Sequence, residues 1–171
     1  MKNPLFLASV ALATALAAAP SKATDLYAPA SGCTDINCSG LIINGTVNPY
    51  TNGAFQFPGV AVYKVWGSFG GQCMRLEVTN DFGASPDLEM TVISPNPSTA
   101  YRNDQGGGPC INCPIVKVQN TQNGYYTVVL HSWTGGLVAT DFQLRYGLYS
   151  PATNPNCSGP TTPFVGSEAA K

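Results

Sequence analysis

The sequence predicts an all-β, disulfide-bonded fold: an antiparallel β-sandwich of seven or eight strands. Three observations carry that expectation. Short runs rich in Val, Ile, Tyr, Phe and Thr recur with Gly, Pro and Asn between them; no window has a helical period; six cysteines accompany a charged fraction of only 10%. Short strands separated by turn residues at this spacing belong to sandwiches rather than to βαβ units. A chain of 171 residues also fits one domain better than two.

The chain opens with MKNPLFLASVALATALAAAPSKA, in which Lys2 precedes an apolar run from Leu5 to Ala19, with small residues at Ser21 and Ala23. This is the layout of a secretory signal peptide, cut after Ala23. A cut after Ala19 would set Pro20, with its fixed ring and missing N–H, directly beyond the scissile bond. The apolar run is shorter than the ~20 residues of a membrane-spanning helix, so no transmembrane segment is expected in the mature chain. Residues 1–23 are read as signal peptide, 24–40 as a Cys-stapled N-terminal segment rather than a strand, 41–149 as the sandwich, and 150–171 as a flexible Pro/Ser/Thr-rich tail. The expected location is outside the cytoplasm, in a periplasm or beyond the cell.

Within the sandwich, strands are expected over Leu41–Val47, Val60–Trp66, Gln72–Asn80, Leu88–Ser94, Ile115–Gln119, Tyr125–Trp133 and Val138–Tyr149. Asn52-Gly53, Gly70-Gly71, Ser85-Pro86, Pro95-Asn96-Pro97, Gly106-Gly107-Gly108, Asn123-Gly124 and Gly135-Gly136 supply the turns. Alternation assigns faces. Met74, Leu76 and Val78 share one side of their strand, Leu88, Met90 and Val92 one side of theirs, and Phe142, Leu144, Tyr146 and Leu148 one side of the last. These are the expected core.

An even cysteine count in an exported chain reads as a disulfide framework. Count alone leaves the pairing open. Alternation puts Cys73 on the face turned from the core, where a tail carrying Cys157 can return to it; Cys33–Cys38 and Cys110–Cys113 are then local loop staples. Zinc is the competing use of such spacings, but an oxidising compartment and a lone histidine favour disulfides. Cys110-Ile111-Asn112-Cys113 lies between a Gly run and a strand, not at a helix N-terminus that would activate a thiol, which argues against redox catalysis.

Charge narrows the function further. Eight Lys and Arg against nine Asp and Glu provide no basic field for a phosphate backbone, which excludes nucleic acid as a partner. Nucleophilic hydrolysis needs a base beside a serine. The sole histidine, His131, neighbours Ser132 on one strand, adjacent strand residues point to opposite faces, and no Gly-x-Ser-x-Gly occurs. No catalytic residue is assigned, and a small secreted hydrolase is only the third reading.

Aromatic residues give a binding reading. Tyr50, Phe55, Trp66, Trp133 and Tyr149 fall at strand ends or in loops, where an exposed ring can stack on a sugar while Asn, Gln and Asp donate and accept hydrogen bonds. Trp133-Thr134-Gly135-Gly136 is the expected tip, with Trp66 and Tyr50 as further ligand-binding candidates. The competing role for these rings is to cap the open ends of the core.

Several segments in order resemble the bacterial pre-peptidase C-terminal domain family: Val62-Tyr63-Lys64-Val65 followed by Gly70-Gly71-Gln72, Pro86-Asp87-Leu88-Glu89-Met90-Thr91-Val92-Ile93-Ser94-Pro95, Asn103-Asp104, Asn123-Gly124 with Tyr125–Leu130, and Phe142–Tyr146. The resemblance implies a jelly-roll-like sandwich without catalytic residues, able in some members to bind calcium or help bind an insoluble substrate. By the same resemblance Asp87, Asn103 and Asp104 match positions of calcium ligands, with Asp81 near enough in sequence to join them. Asx-turn hydrogen bonding is the alternative use of those residues. The signal peptide leads almost directly into the sandwich, so the domain is expected to stand alone. The function expected is recognition of an extracytoplasmic protein or polysaccharide, with calcium stabilisation; the alternative is a structural subunit of a surface layer or appendage, self-assembling through strand edges or its tail.

Overall fold

The computed structural model describes residues 24–26, 41–67, 71–80, 87–96, 99–104, 110, 112–132, 137 and 139–165. Twelve strands run through them: β1 (Thr24–Leu26), β2 (Leu41–Val47), β3 (Tyr50–Asn52), β4 (Phe55–Phe57), β5 (Val60–Gly67), β6 (Cys73–Asn80), β7 (Leu88–Ile93), β8 (Thr99–Asn103), β9 (Ile115–Gln119), β10 (Gly124–Ser132), β11 (Thr140–Tyr149) and β12 (Pro163–Val165). One sheet has the order β1-β5-β10-β7-β8-β12, the other β2-β11-β6-β9, and β3 and β4 form a hairpin of their own. All pairings are antiparallel except that of β1 with β5.

The two sheets pack through the alternating apolar residues. Val65, Leu88, Met90, Val92, Tyr126, Val128 and Leu130 from the first meet Met74, Leu76, Val78, Val116, Val118, Phe142, Leu144, Tyr146 and Leu148 from the second. Each is withdrawn from water, and the loss of apolar surface to water is what drives the sheets together. The Tyr146 hydroxyl, which burial would otherwise leave unsatisfied, donates to the Trp66 carbonyl oxygen at 2.7 Å.

Five strands, in four places, lie outside the seven expected from the sequence. The segment from 24 to 40 contributes β1, which pairs with β5 and forms the edge of that sheet. Thr99–Asn103 pairs with β7, and its mixed composition becomes a strand because that pairing satisfies its backbone. The hairpin β3–β4 is the third case. The fourth is the tail, which is not a free extension over 150–165. It turns through Pro155–Cys157, where the Asn154 side chain accepts from the Asn156 N–H, and its Cys157 is bonded to Cys73. Thr161 and Lys117 then exchange hydrogen bonds at 3.0 Å, and Pro163–Val165 pairs with β8 of the same chain. The tail thus crosses from the outer face of one sheet to the edge of the other.

Each outer face buries one carboxylate against arginine. Glu77 receives Arg75 and, at 3.3 Å, Arg145. Glu89, only 2% exposed, is gripped by two nitrogens of Arg102, and His131 Nε2 lies 3.6 Å away. A buried carboxylate is tolerated only with such partners.

Candidate functional site: the hairpin end of the sandwich

Strand directions divide the molecule into two ends. At one end β2 leaves its sheet at Val47 into the β3–β4 hairpin, β5 begins at Val60, β10 ends at Ser132, and β11 begins at Thr140. The base of the hairpin is tight: a Cβ on Gly59 would fall on the Asn48 carbonyl, so only glycine lets these two backbones touch. The tip is a two-residue turn, Gly53-Ala54, with Gly53 at φ +63°, the left-handed conformation that short hairpins need at their first central position.

Register sets the hairpin's chemistry. Tyr50 pairs with Phe57 and Asn52 with Phe55, so Tyr50, Phe55 and Phe57 occupy one face of the two-stranded ribbon. The Tyr50 and Phe57 rings stack with centroids 5.2 Å apart. Tyr50 is 56% exposed and Phe55 71% exposed. Val60 and Leu137, at the same end, are also exposed. Of the exposed large apolar residues among those described, only Tyr125 lies elsewhere, at the opposite end beside Gly124. Scattered apolar residues on a surface need no explanation, but a concentration at one end marks a place of interaction.

A groove of about 320 Å³ opens where β2 approaches its end before the hairpin, lined by Asn44, Gly45, Thr46, Asp141 and Phe142. Gly45 pairs with Phe142 across β2 and β11, with Thr46 opposite Asp141 and Asn44 opposite Gln143. The Thr46 hydroxyl donates to Asp141 Oδ1 at 2.6 Å. Thr79 donates to Gln143 Oε1 at 2.8 Å, and Gln143 Nε2 in turn donates to Asn44 Oδ1 at 3.4 Å.

The residues singled out in the sequence are dispersed. Tyr50 belongs to the hairpin face. Trp66 lies at the opposite end, half-buried and edge-on to the exposed Tyr125 at 4.8 Å, and Tyr149 is buried beside the Cys73–Cys157 disulfide, so neither shares a site with Tyr50. Trp133 lies outside the described residues, as do Cys33, Cys38 and Asp81. Cys110 and Cys113 are bonded to each other, with Cys113 buried in the core cluster. Phe57, Val60, Leu137, Asn44, Thr46 and Asp141 went unread. The signal for the first was Tyr50-x-Asn52-Gly53-x-Phe55-x-Phe57, aromatic residues at alternate positions around a turn.

The acids at the start of β7 and end of β8 are arranged unequally. Asn103 Oδ1 accepts the Ile115 N–H at 3.1 Å and ties the two sheets. Asp87 has its carboxyl pushed above the usual range by burial, then by the charges of Asp104 and Glu89, and its Oδ1 is enclosed without a hydrogen-bond partner. Glu89 is engaged by Arg102. Among the described residues no three His, Cys, Asp or Glu side chains converge as a metal site. His131 Nδ1 lies 3.1 Å from the Ser132 carbonyl oxygen, while the Ser132 side chain is buried.

No family model and no curated protein matches the chain. Among solved structures it is similar to the pre-peptidase C-terminal domain of a collagenase from Bacillus anthracis, with 13% identity over 75% of this chain and 97% of that one and a TM-score of 0.49. No helix among the described residues is long and apolar enough to cross a membrane.

Proposed function

We propose that this protein is an exported, non-catalytic β-sandwich that binds an extracytoplasmic polymer, polysaccharide or protein, through its hairpin end. The observation that carries the reading is the Tyr50/Phe55/Phe57 face: three aromatic side chains held outward on a ribbon that belongs to neither sheet. Exposed rings cost stability or solubility unless a ligand covers them, and preformed rings lose little entropy on binding. The disulfides support export, because such bonds persist in oxidising compartments.

Calcium belongs to the proposal at Asp87 and Asp104, where two acids crowd each other and one oxygen has no partner. Calcium takes about six to eight oxygens, so these two residues supply part of a shell, to which Asn103 Oδ1, accepting one hydrogen bond from Ile115, adds its second lone pair. In a melt of chelator-treated protein, millimolar calcium should raise the midpoint of wild type but not of Asp104→Ala.

The central test is retention on isolated bacterial cell envelopes. Wild type should sediment with them, and Tyr50→Ser/Phe55→Ser/Phe57→Ser should lose at least tenfold in retention with an unchanged melting temperature. Equal retention of both proteins would sink the hairpin reading.

A further inference from the structure

We propose that the groove crossing the Gly45–Phe142 pair is a sugar subsite, taking one pyranose unit of a neutral polysaccharide whose adjoining units lie against the aromatic hairpin. The proposal rests on the hairpin end being the binding surface and adds the ligand's class and the residues that select it.

Size and position come first. The groove's volume of about 320 Å³ falls in the range of small-ligand sites. Thr46 and Tyr50 are four residues apart on one continuous segment, so groove and rings are separated by at most roughly 13 Å of extended backbone. A single polymer can touch both.

The groove's chemistry then selects a hydroxyl-rich ligand. Its polar lining is one amide, one hydroxyl and one carboxylate, from Asn44, Thr46 and Asp141. Two hydrogen bonds set their orientation. Thr46 fixes Asp141 by donating to Oδ1, which leaves Oδ2 as the acceptor for a ligand. The Thr79–Gln143–Asn44 relay ends on Asn44 Oδ1, which turns the Asn44 NH₂ away as a donor. A donor and an acceptor lining one groove match sugar hydroxyls, each of which donates one hydrogen bond and accepts another. Because cross-strand pairs fix both groups before binding, little ordering cost remains.

Charge selects against acidic glycans. Among the described residues Asp141 is the only charged one lining the groove, and a ligand carboxylate or sulfate placed there would meet its like charge. The aromatic face next to it offers stacking for the apolar face of a pyranose ring. A flat row of polar strand side chains beside exposed rings suits a linear glycan better than a protein partner, which would require a buried apolar centre between the two surfaces.

The test is sedimentation of the whole mature protein with insoluble cellulose, chitin and β-1,3-glucan, with casein-coated beads as the protein control. Wild type should be retained on at least one glycan and not on the beads. Asn44→Ala and Asp141→Ala should each weaken that retention about tenfold, and Tyr50→Ala should weaken it too, all with melting temperatures close to wild type. Retention of both groove variants at the wild-type level, with loss in Tyr50→Ala, would overturn the subsite and leave the hairpin reading standing. Full retention of all three variants would overturn both. Failure of wild type on every glycan would overturn the sugar subsite, and retention on casein beads alone would assign the hairpin to a protein ligand instead.

Discussion

The two ends of this sandwich solve opposite problems. At the tail end, Tyr149 and the Cys73–Cys157 disulfide form a closed cluster, and backbone oxygens of the tail are taken up by side chains of the sheet beneath: Asn156 by Arg75, Cys157 by Gln119, Ser158 by Lys117. At the hairpin end, aromatic rings project into water and the nearest polar groups point outward. The lesson is a division of labour. Stability is concentrated where the tail folds back, which leaves the other end free to carry groups that contribute nothing to the core.

That contrast is breakable. The largest effect should come from removing the tail's tether: Cys73→Ser/Cys157→Ser opens a covalent loop of 84 residues, and loop-closure entropy puts the cost at about 4 kcal/mol in denaturant unfolding. A loss below about 1 kcal/mol would mean that the tail's hydrogen bonds suffice. Next is Arg102→Ala, which strips the main partner from a carboxylate that is 2% exposed. Because Arg102 is itself half exposed, the expected cost is about 2 kcal/mol, below that of breaking a fully buried pair.

Asp87→Asn should act in the opposite direction. Asp87 titrates above the usual carboxylate value, so between its unfolded and folded values the native state holds the extra proton and stability falls as pH rises. The penalty is fully present at neutral pH and disappears in acid. The variant should therefore melt slightly higher than wild type at pH 7 and no higher at low pH; a rise that persists in acid would show that charge is not the cause. The smallest effect belongs to Phe55→Ala. With the ring 71% exposed, its loss should change stability by less than about 0.5 kcal/mol, and a larger drop would place the hairpin among the structural elements.

Much of the fold was legible because alternation is a direct image of burial. Met74, Leu76 and Val78 could be assigned inward, and Cys73 outward, from spacing alone. The same rule misjudged solvent: Glu77 and Glu89 alternate outward, yet both are buried, because Arg145 and Arg102 reach them from neighbouring strands, beside Arg75 on the strand of Glu77 itself, and strand order is not written in a single strand. The binding end was half legible. Tyr50 and Phe55 stood out by type, but Trp66 and Tyr149 stood out equally and lie at the opposite end, Trp66 against Tyr125 and Tyr149 in the buried disulfide cluster. Residue type does not say at which end of a strand a ring will sit relative to another strand's ring.

The sequence by itself determined the class of fold, the inward faces of β6, β7 and β11 and the turn at Asn52-Gly53, since these follow from backbone sterics and from periods a few residues long. Only the tertiary structure decided that the tail closes the edge of β8, that Asn103 ties the sheets through Ile115, and that Thr46 and Asp141, 95 residues apart, share one groove. Those outcomes depend on which strands become neighbours, and neighbour choice is settled by the packing of two whole sheets, not by any local stretch of chain.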